Sequence, residues 1–306
     1  MKLLLIDGNY YVYRSFFAIR NLTTQAGEPV NAIYGFVKTM RKMLKDLQPD
    51  FAAVIWDEGL PERRTALQPA YKAQRAEMPA DLIPQTAIIR QLVPLLGLGG
   101  HGLPGTEADD LIASYAVAAA SLGYETILAT NDKDLFQLVG PQVQVYSTNK
   151  RDLVQPTDPH ALLGVGAVLK KWGVEPHLIG DILALLGDTV DNIPGVLGIG
   201  PKTATGLMQQ FGGLDAMLAN TGAIANEKLR ARIESDRAQI AQNREMVRLD
   251  LDLPLPVPVA DLVVRPDYPP LIEIIKRCEF RGLLAELEAE AGMVKQTSAV
   301  QPEFTF

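Results

Sequence analysis

The chain has a single cysteine, Cys278, and three histidines in 306 residues. A lone thiol excludes an internal disulfide and fits a reducing compartment, the cytoplasm. With so few thiolate and imidazole ligands, a zinc site is not expected. Long apolar runs are missing too. No stretch of 18 or more hydrophobic residues occurs, so neither a membrane-spanning helix nor a membrane partner is expected. The opening Met1-Lys2-Leu3-Leu4-Leu5-Ile6 starts like a secretion signal, but Asp7 ends it, and a buried first strand is the better reading. Positive charge is not in excess. The formal net charge is −7, from 29 basic and 36 acidic residues, which argues against nucleic acid as a partner unless the acids are concentrated in one place.

What is present is globular composition, 47% hydrophobic and 21% charged, in a length that suits one large or two modest domains. Short apolar runs at residues 2–6, 51–56 and 125–130 read as buried strands, and each is closed by acid. The closures are Asp7-Gly8-Asn9, then Asp57, then Asn131-Asp132-Lys133-Asp134. Residues 142–146 suit one more strand. Helical spacing covers residues 10–19, 30–47 and 84–96, with Pro29 at the start of the second and Gln48-Pro49 at its end. Strand alternating with helix predicts an α/β fold, a mostly parallel central sheet with helices on both faces. In such sheets, ligand and catalytic groups gather at the C-terminal ends of the strands.

Between the second and third runs stands Thr106-Glu107-Ala108-Asp109-Asp110, three acids in four positions at an expected helix start, with Thr106 as its N-cap. A helix dipole favours acid there, but three carboxylates repel one another unless they are solvated or hold cations. Beyond residue 158 the strand signals fade. A short apolar helix at 178–186 ends in Gly187-Asp188-Thr189-Val190-Asp191-Asn192-Ile193-Pro194-Gly195, where i,i+3 spacing puts two acids on one side of a helical turn. Residues 227–249 read as one long charged helix with a solvated face, 251–264 as a proline-rich irregular stretch, 271–291 as helix and 293–306 as a disordered polar tail. The expected organisation is an α/β core over residues 1–165 and a helical region over 166–292.

Basic residues cluster where the acids do not. Arg63, Arg64, Lys72 and Arg75 surround Tyr71 in a proline-broken segment, a mixture suited to a phosphate backbone and a stacked base. The stretch from Gly195 through Gly198, Gly200, Lys202 and Thr203 nearly matches the nucleotide-binding pattern G-x-x-x-x-G-K-[ST]. Pro201 interrupts it and no strand precedes it, so ATP binding at Lys202 is the weaker reading. A glycine hairpin entering a helix can instead hold one phosphate of a nucleic-acid strand, as a helix-hairpin-helix does.

The acids then form a set: Asp7, Asp57, Glu107, Asp109, Asp110, Asp132, Asp134, Asp188 and Asp191. Nine carboxylates in one pocket need cations. Oxygen donors without His or Cys select Mg²⁺ or Mn²⁺. Two such ions roughly 3.5–4 Å apart could activate a water and stabilise the leaving oxygen of an in-line phosphodiester displacement. With these nine set aside, basic residues outnumber acidic ones by two.

Taken together, Leu3-Leu4-Leu5-Ile6-Asp7-Gly8, Tyr71-Lys72-Ala73-Gln74-Arg75, Gly105-Thr106-Glu107-Ala108-Asp109-Asp110, Asn131-Asp132-Lys133-Asp134 and the Gly187–Gly195 stretch with its hairpin resemble one family. It is the 5′–3′ exonuclease and flap-endonuclease family, in the form of the 5′-nuclease domain of bacterial DNA polymerase I. The resemblance covers residues 1–292. It implies a PIN-like core, a first metal site of Asp7, Asp57, Glu107 and Asp109, and a second of Asp132, Asp134 and Asp191, with Asp188 and Asp110 close by. It implies a helical arch at about 58–80, with Lys72 and Arg75 steering phosphate and Arg64 assisting. Tyr13 would stack on a base and Arg14 hold phosphate near the scissile bond, with Tyr71 and Lys133 among the DNA contacts. The hairpin from Gly198 and Gly200 to Lys202 and Thr203 would be a helix–three-turn–helix that grips duplex DNA and can hold K⁺. The implied activity is Mg²⁺-dependent cutting of flapped or nicked DNA and RNA primers in replication and repair, by a monomer in the bacterial nucleoid. A DNA polymerase would be a fused or separate partner. A catalytically silent DNA-junction clamp is the competing class.

Overall fold

The apolar runs at residues 3–6, 51–55 and 126–129 are buried at every position, so they lie inside a sheet covered on both faces. A computed structural model describes residues 1–299. Six strands form one mixed, mostly parallel sheet, β1 (Lys2–Asp7), β2 (Phe51–Ile55), β3 (Gly99–His101), β4 (Glu125–Ala129), β5 (Val143–Ser147) and β6 (Ala161–Leu163), in the order β3-β2-β1-β4-β5-β6. β1 pairs with β4 in parallel with Ile6 opposite Ala129, β4 pairs with β5 in parallel, and β6 closes that side antiparallel to β5. The strand order reverses between β1 and β4, so Asp7 and the segment after Ala129 leave adjacent strands at a topological switch point, where open α/β sheets open a crevice.

The helices are α1 (Gly8–Ala18), α2 (Asn31–Leu47), α3 (Glu62–Leu67), α4 (Ile83–Leu95), α5 (Ala108–Ser121), α6 (Val165–Trp172), α7 (Ile179–Leu186), α8 (Pro201–Phe211), α9 (Leu214–Ala219), α10 (Glu227–Ser235), α11 (Arg237–Val247), α12 (Tyr268–Arg277) and α13 (Arg281–Ala299). α2 buries Ile33, Phe36, Val37, Met40, Met43 and Leu47, an apolar stripe at helical spacing, and stops where Gln48 turns left-handed and its N–H caps the Leu44 carbonyl. α5 is buried along most of its length, Leu111, Ile112 and Tyr115 included, and packs on β1 and β4. None of the described helices is long and apolar enough to cross a membrane.

The chain divides into two compact, discontinuous units. One comprises Met1–Asp7, Ile55–Glu77 and His101–Val259; the other comprises Gly8–Val54, Met78–Gly100 and the described residues from Ala260 on. A boundary near residue 165 therefore falls inside the first unit. The second unit is tied by polar clamps. Asn31 Nδ2 donates to the carbonyls of Phe16, in the last turn of α1, and Ile19, just past it. Gln85 Oε1 accepts from the Ala32 N–H, and Arg41 pairs with Glu286 and Glu290 of α13.

Several expectations need correction. The glycine-rich stretch before Thr106 holds β3, and β6 lies past the point where strand signals fade; each has three residues, too few to show a period. Thr106 does not cap α5. The helix begins one residue later with Glu107 at the cap position, and no side-chain cap bond is made from it. The expected long helix at 227–249 is α10 and α11, broken at Asp236, and it is no solvated face, because Ile233, Ile240 and Asn243 are fully buried. The helix at 271–291 is likewise two, parted where Glu279 takes a positive φ. The tail expected from Met293 is helical to Ala299; residues 300–306 lie outside the described residues.

Candidate active site

Because Ile6 and Ala129 are level, Asp7 and Thr130 leave the sheet side by side. The Thr130 hydroxyl donates to Asp7 Oδ2 at 3.1 Å and accepts the Asp132 N–H at 3.0 Å. The Asp134 N–H then donates to Asp132 Oδ1 at 2.9 Å. One short loop thus holds two carboxylates, Asp7 through the Thr130 hydroxyl and Asp132 through the Asp134 N–H. Thr130 was not foreseen as a site residue; its place between a strand and an acid run was the available signal. Asp57 accepts the Ala108 N–H at 2.8 Å and supplies the cap that Thr106 does not, which attaches it to the first turn of α5 beside Asp109. Acid at this N-terminus is favoured by the helix dipole.

Burial pushes the Asp109 carboxyl well above its usual range, and the neighbouring charges of Asp132, Asp7, Asp57 and Asp134 push the same way. Asp134 is raised to about 8 by burial and then by Asp132. Asp132 is raised by burial, against the N–H of Asp134. Asp188 and Asp191 add to the field at both. These seven acids therefore form one electrostatic group in the first compact unit.

Asp188 and Asp191 owe their place to a tight loop after α7. Asp188 and Ile193 exchange two backbone hydrogen bonds at 2.7 and 2.8 Å. Gly187 has φ +67°, and a Cβ there would lie 2.4 Å from the Gly195 nitrogen, so the two glycines permit a contact that no side chain allows. Lys133 pairs with Asp188 at 2.9 Å.

Glu107 and Asp110 are drawn the other way. Arg64, expected as a DNA contact, is buried. Its guanidinium holds both oxygens of Asp110, at 2.6 and 2.8 Å, and bonds Glu107. Asp110 is fully buried and also accepts the Asp250 N–H at 3.0 Å. With its oxygens thus engaged it is a counter-ion to Arg64 and is not brought to the group of seven acids. Lys72 bonds Glu107 and lies 3.7 Å from Asp191, and Arg75 reaches Asp191 at 2.7 Å. Burial disfavours the charge on Glu107, but Lys72 and Arg64 outweigh it and hold the carboxyl below its usual range. Burial likewise opposes the charge on Lys72, but Glu107 and Asp191 prevail and raise its pKa. Tyr71, expected to offer a ring to a base, is 5% exposed and donates its hydroxyl to Glu107 at 3.0 Å. Burial, and then Glu107, push that phenol upward.

The segment expected as a helical arch is helical only over α3, with turns beyond it. It lies along the acid loop. The Lys72 N–H donates to the Asp191 carbonyl at 3.2 Å and Asn192 Nδ2 to the Ala70 carbonyl at 2.8 Å, while the Gln68 and Gln74 amides donate to the Asn192 and Thr189 carbonyls. Pro69, the turns and these side-chain bonds replace the continuous helix.

The hairpin follows a helix and a loop, not a strand, so the geometry of a nucleotide-binding loop is missing. Gly198 has φ +87°, and neither Gly198 nor Gly200 has an atom within 4 Å of where a Cβ would stand. Gly200 caps α8, Lys202 is exposed and Thr203 is half-buried. Tyr13 and Arg14 lie on α1, in the other compact unit. Arg14 is exposed and donates to the Tyr10 hydroxyl at 3.0 Å, and the half-buried Tyr13 ring stacks on Phe17 at 6.4 Å.

The acid group fits divalent cations by its chemistry. All donors are carboxylate oxygens, the acids hold one another's pKa values up, and Asp134 Oδ1 is buried with no hydrogen-bond partner. Among the described residues no three acids already form a metal-binding cluster. In metal-free protein, raised carboxyl pKa values mean that the folded chain holds more protons than the unfolded chain between about pH 4 and about pH 8. Stability contributed by those protons is full below the unfolded pKa and is lost as pH rises through the folded one. In EDTA, the melting temperature is therefore expected to fall between pH 5.5 and pH 8.5, and the rise on adding Mg²⁺ to grow over the same range, because the ion displaces fewer protons. Differential scanning fluorimetry checks both trends; a pH-independent Mg²⁺ effect contradicts the electrostatic grouping.

Comparison with known proteins places this architecture. Residues 2–173 match the family model "5′-3′ exonuclease, N-terminal resolvase-like domain" and residues 174–269 match "5′-3′ exonuclease, C-terminal SAM fold". The fold is thus a resolvase-like α/β domain followed by a SAM-like helical one. The chain belongs to the 5′–3′ exonuclease family. It is 35% identical to a 5′-3′ exonuclease of Aquifex aeolicus over 94% of this chain and 95% of that protein. It is 39% identical to the thermostable DNA polymerase I of Thermus thermophilus over 95% of this chain but 34% of the relative, so it spans about a third of that polymerase. Among solved structures, a bacteriophage T5 flap endonuclease in a pseudo-enzyme-product complex with DNA and metal ions shares the fold, with a TM-score of 0.67 and 18% identity, over 95% of this chain and 97% of that one.

Proposed function

We propose that this chain is a divalent-metal-dependent 5′ nuclease that hydrolyses phosphodiester bonds near the junction between a 5′ single strand and duplex DNA. The observation that carries the reading is the crowding of Asp7, Asp57, Asp109, Asp132 and Asp134: Asp7, Asp57 and Asp132 are held by local hydrogen bonds, Asp109 lies in the repulsive field of the other four, and one buried carboxylate oxygen of Asp134 is left without a hydrogen-bond partner. The residues that would hold the ions are Asp7, Asp57, Asp109, Asp132, Asp134 and Asp191, with Glu107 and Asp188 at the margin. Mg²⁺ is the expected ion and Mn²⁺ a substitute. When bound, such ions lower the pKa of a water and neutralise charge on the scissile phosphate and the leaving oxygen.

The protein's own part is to orient and to neutralise. Lys72 and Arg75 are cations already held at Asp191, and Lys72 also holds Glu107. A phosphate drawn into the pocket exchanges those carboxylate partners for its own oxygens, which places two positive side chains beside the reacting bond. Lys133 can make the same exchange from Asp188. Arg64 takes no part in this, because its contacts are satisfied within the protein. Tyr13 would stack on a base and Arg14 hold a phosphate. The open hairpin at Gly198 and Gly200, with Lys202 and Thr203 entering α8, would hold duplex backbone by its N–H groups, and its carbonyls would hold K⁺. Flaps, nicks and RNA primers are the proposed substrates. A DNA polymerase, fused or separate, is the proposed partner of a monomer working at the bacterial nucleoid. Within this reading, residues 1–165 carry the chemistry and residues 166–292 grip DNA.

The test is polarity. With Mg²⁺, a labelled 5′ flap is expected to be cut near its base while a matching 3′ flap is left intact and EDTA stops all cutting. Equal cutting of both flaps, or binding without any product, rejects the proposal.

A further inference from the structure

The C-terminal half of α11 is hydrogen-bonded to α3, to the segment that carries Asp134, and to the loop that carries Asp188 and Asp191. Its carbonyls, left without intrahelical partners at a helix end, are taken by side chains linked to the site. Arg64 Nε donates to Met246 O and Arg64 Nη2 to Arg248 O, each at 2.9 Å, and Arg63 Nη2 also donates to Arg248 O at 2.9 Å. Gln137 Nε2 donates to Val247 O at 3.2 Å and to Asp134 O at 2.7 Å. One contact runs the other way. Asn243, fully buried, sends its amide off the helix to two carbonyls, Ala184 O at 2.9 Å and Pro194 O at 2.7 Å, while its own Oδ1 accepts from Gln239 at 2.8 Å.

Those two carbonyls are the two feet of the loop that carries Asp188 and Asp191. Ala184 belongs to the last turn of α7, where carbonyls need outside donors, and Pro194 follows Ile193, which pairs back with Asp188. Between the feet, Leu185 O accepts the Val196 N–H at 2.9 Å, and Gly187 and Gly195 meet without room for a side chain. An asparagine amide has two N–H donors in one plane and fits this bridge; a hydroxyl has one donor, and a carboxylate has none.

We infer that Asn243 is a positioning residue for the second metal site, clamping both feet of the 187–195 loop so that Asp188 and Asp191 are held toward the sheet acids. The inference rests on the proposed metal-dependent function and adds to it a residue that touches neither ion nor DNA. A residue buried only for packing would contribute to stability and leave metal affinity alone. A clamp sets the geometry of ligands it does not touch, and such outer contacts govern affinity.

The test uses the full chain, with Mn²⁺ alone as the probe in isothermal titration calorimetry of metal-free protein. Asn243→Leu keeps the branched shape, with somewhat larger methyl groups, and removes both bonds. It is expected to weaken Mn²⁺ binding at one of two sites by about tenfold or more, and to raise the Mg²⁺ needed for half-maximal flap cutting by a similar factor. Gln239→Ala, which frees the Asn243 oxygen but leaves its donors, is the milder variant should Asn243→Leu fail to fold, and is expected to shift both quantities in the same direction by a smaller factor. Ile233→Ala, a cavity in the fully buried core of α10, is the control that lowers the melting temperature without moving metal affinity. A folded Asn243→Leu with wild-type Mn²⁺ affinity overturns the inference, as does an Ile233→Ala that weakens Mn²⁺ equally. Wild-type protein that binds no Mn²⁺ overturns the metal reading itself, a separate outcome.

Discussion

Asp109→Asn is expected to reduce flap cutting by about a thousandfold or more, ~4 kcal/mol on the barrier, while raising the melting temperature of the metal-free protein. The two effects share one cause. Asp109 is pushed to high pKa by burial and by four neighbouring acids, so its charged form is unwelcome until a cation arrives. An amide of nearly the same volume removes the repulsion and with it a ligand charge. Lower negative charge in the pocket also lets DNA phosphate approach more easily, so binding should persist or tighten. Single-turnover cleavage in Mg²⁺, melting in EDTA and equilibrium DNA binding measure the three parts. A variant that cuts at the wild-type rate removes Asp109 from the metal site; a variant that melts lower in EDTA contradicts the crowding of the acids.

Arg64→Ala acts on the fold. Arg64 is 3% exposed and holds Glu107, Asp110 and the Met246 and Arg248 carbonyls together. Removing one partner of a buried ion pair leaves the other charge uncompensated, at a cost of about 3–5 kcal/mol. The fully buried Asp110 bears most of that cost. For this chain the effect should appear as a lower denaturation midpoint in urea, with Arg64→Lys only partly restored, because an ammonium cannot span both Asp110 oxygens and two carbonyls. If Arg64 were a phosphate contact, as its sequence surroundings suggest, the alanine variant would keep its stability and lose DNA affinity with a shallower salt dependence. The two outcomes are opposite in kind, and a urea titration beside a salt series distinguishes them.

Much of the site was legible because its acids sit where physics puts functional groups. Three apolar runs closed by acid are three of the six strands, β2, β1 and β4, which are neighbours in the sheet, so Asp57, Asp7 and Asp132 follow adjacent strands. The pairing of individual charges was not legible. Arg64 and Arg75 look alike in sequence, but one is buried behind Asp110 and the other is half-exposed on Asp191, a difference set by where α11 ends and visible only when residues far apart in the chain meet. Asp110 shares a face with Glu107 at i,i+3, and both turn to Arg64, while Asp109, about 100° away on the helix, lies among the other acids. The split of residues 227–249 was hidden by charge: the exposed Glu and Arg residues of α10 and α11 mask a narrow buried stripe of Ile233, Ile240 and Asn243. Asn243 itself carried no sequence signal, because a buried amide is defined by its partners and not by its neighbours.

The central claim is that two divalent ions, held by the carboxylates around Asp109, Asp132 and Asp134, act together in cleavage. The most direct measurement is the single-turnover rate of 5′-flap cutting as Mg²⁺ is titrated from a chelated start with enzyme in excess of substrate. The account predicts no cutting in chelator and, well below saturation, a log–log slope approaching about two, the order expected when two ions must bind before the in-line displacement can proceed. Cutting that persists in chelator, or a slope that stays near one throughout with all acids intact, contradicts it.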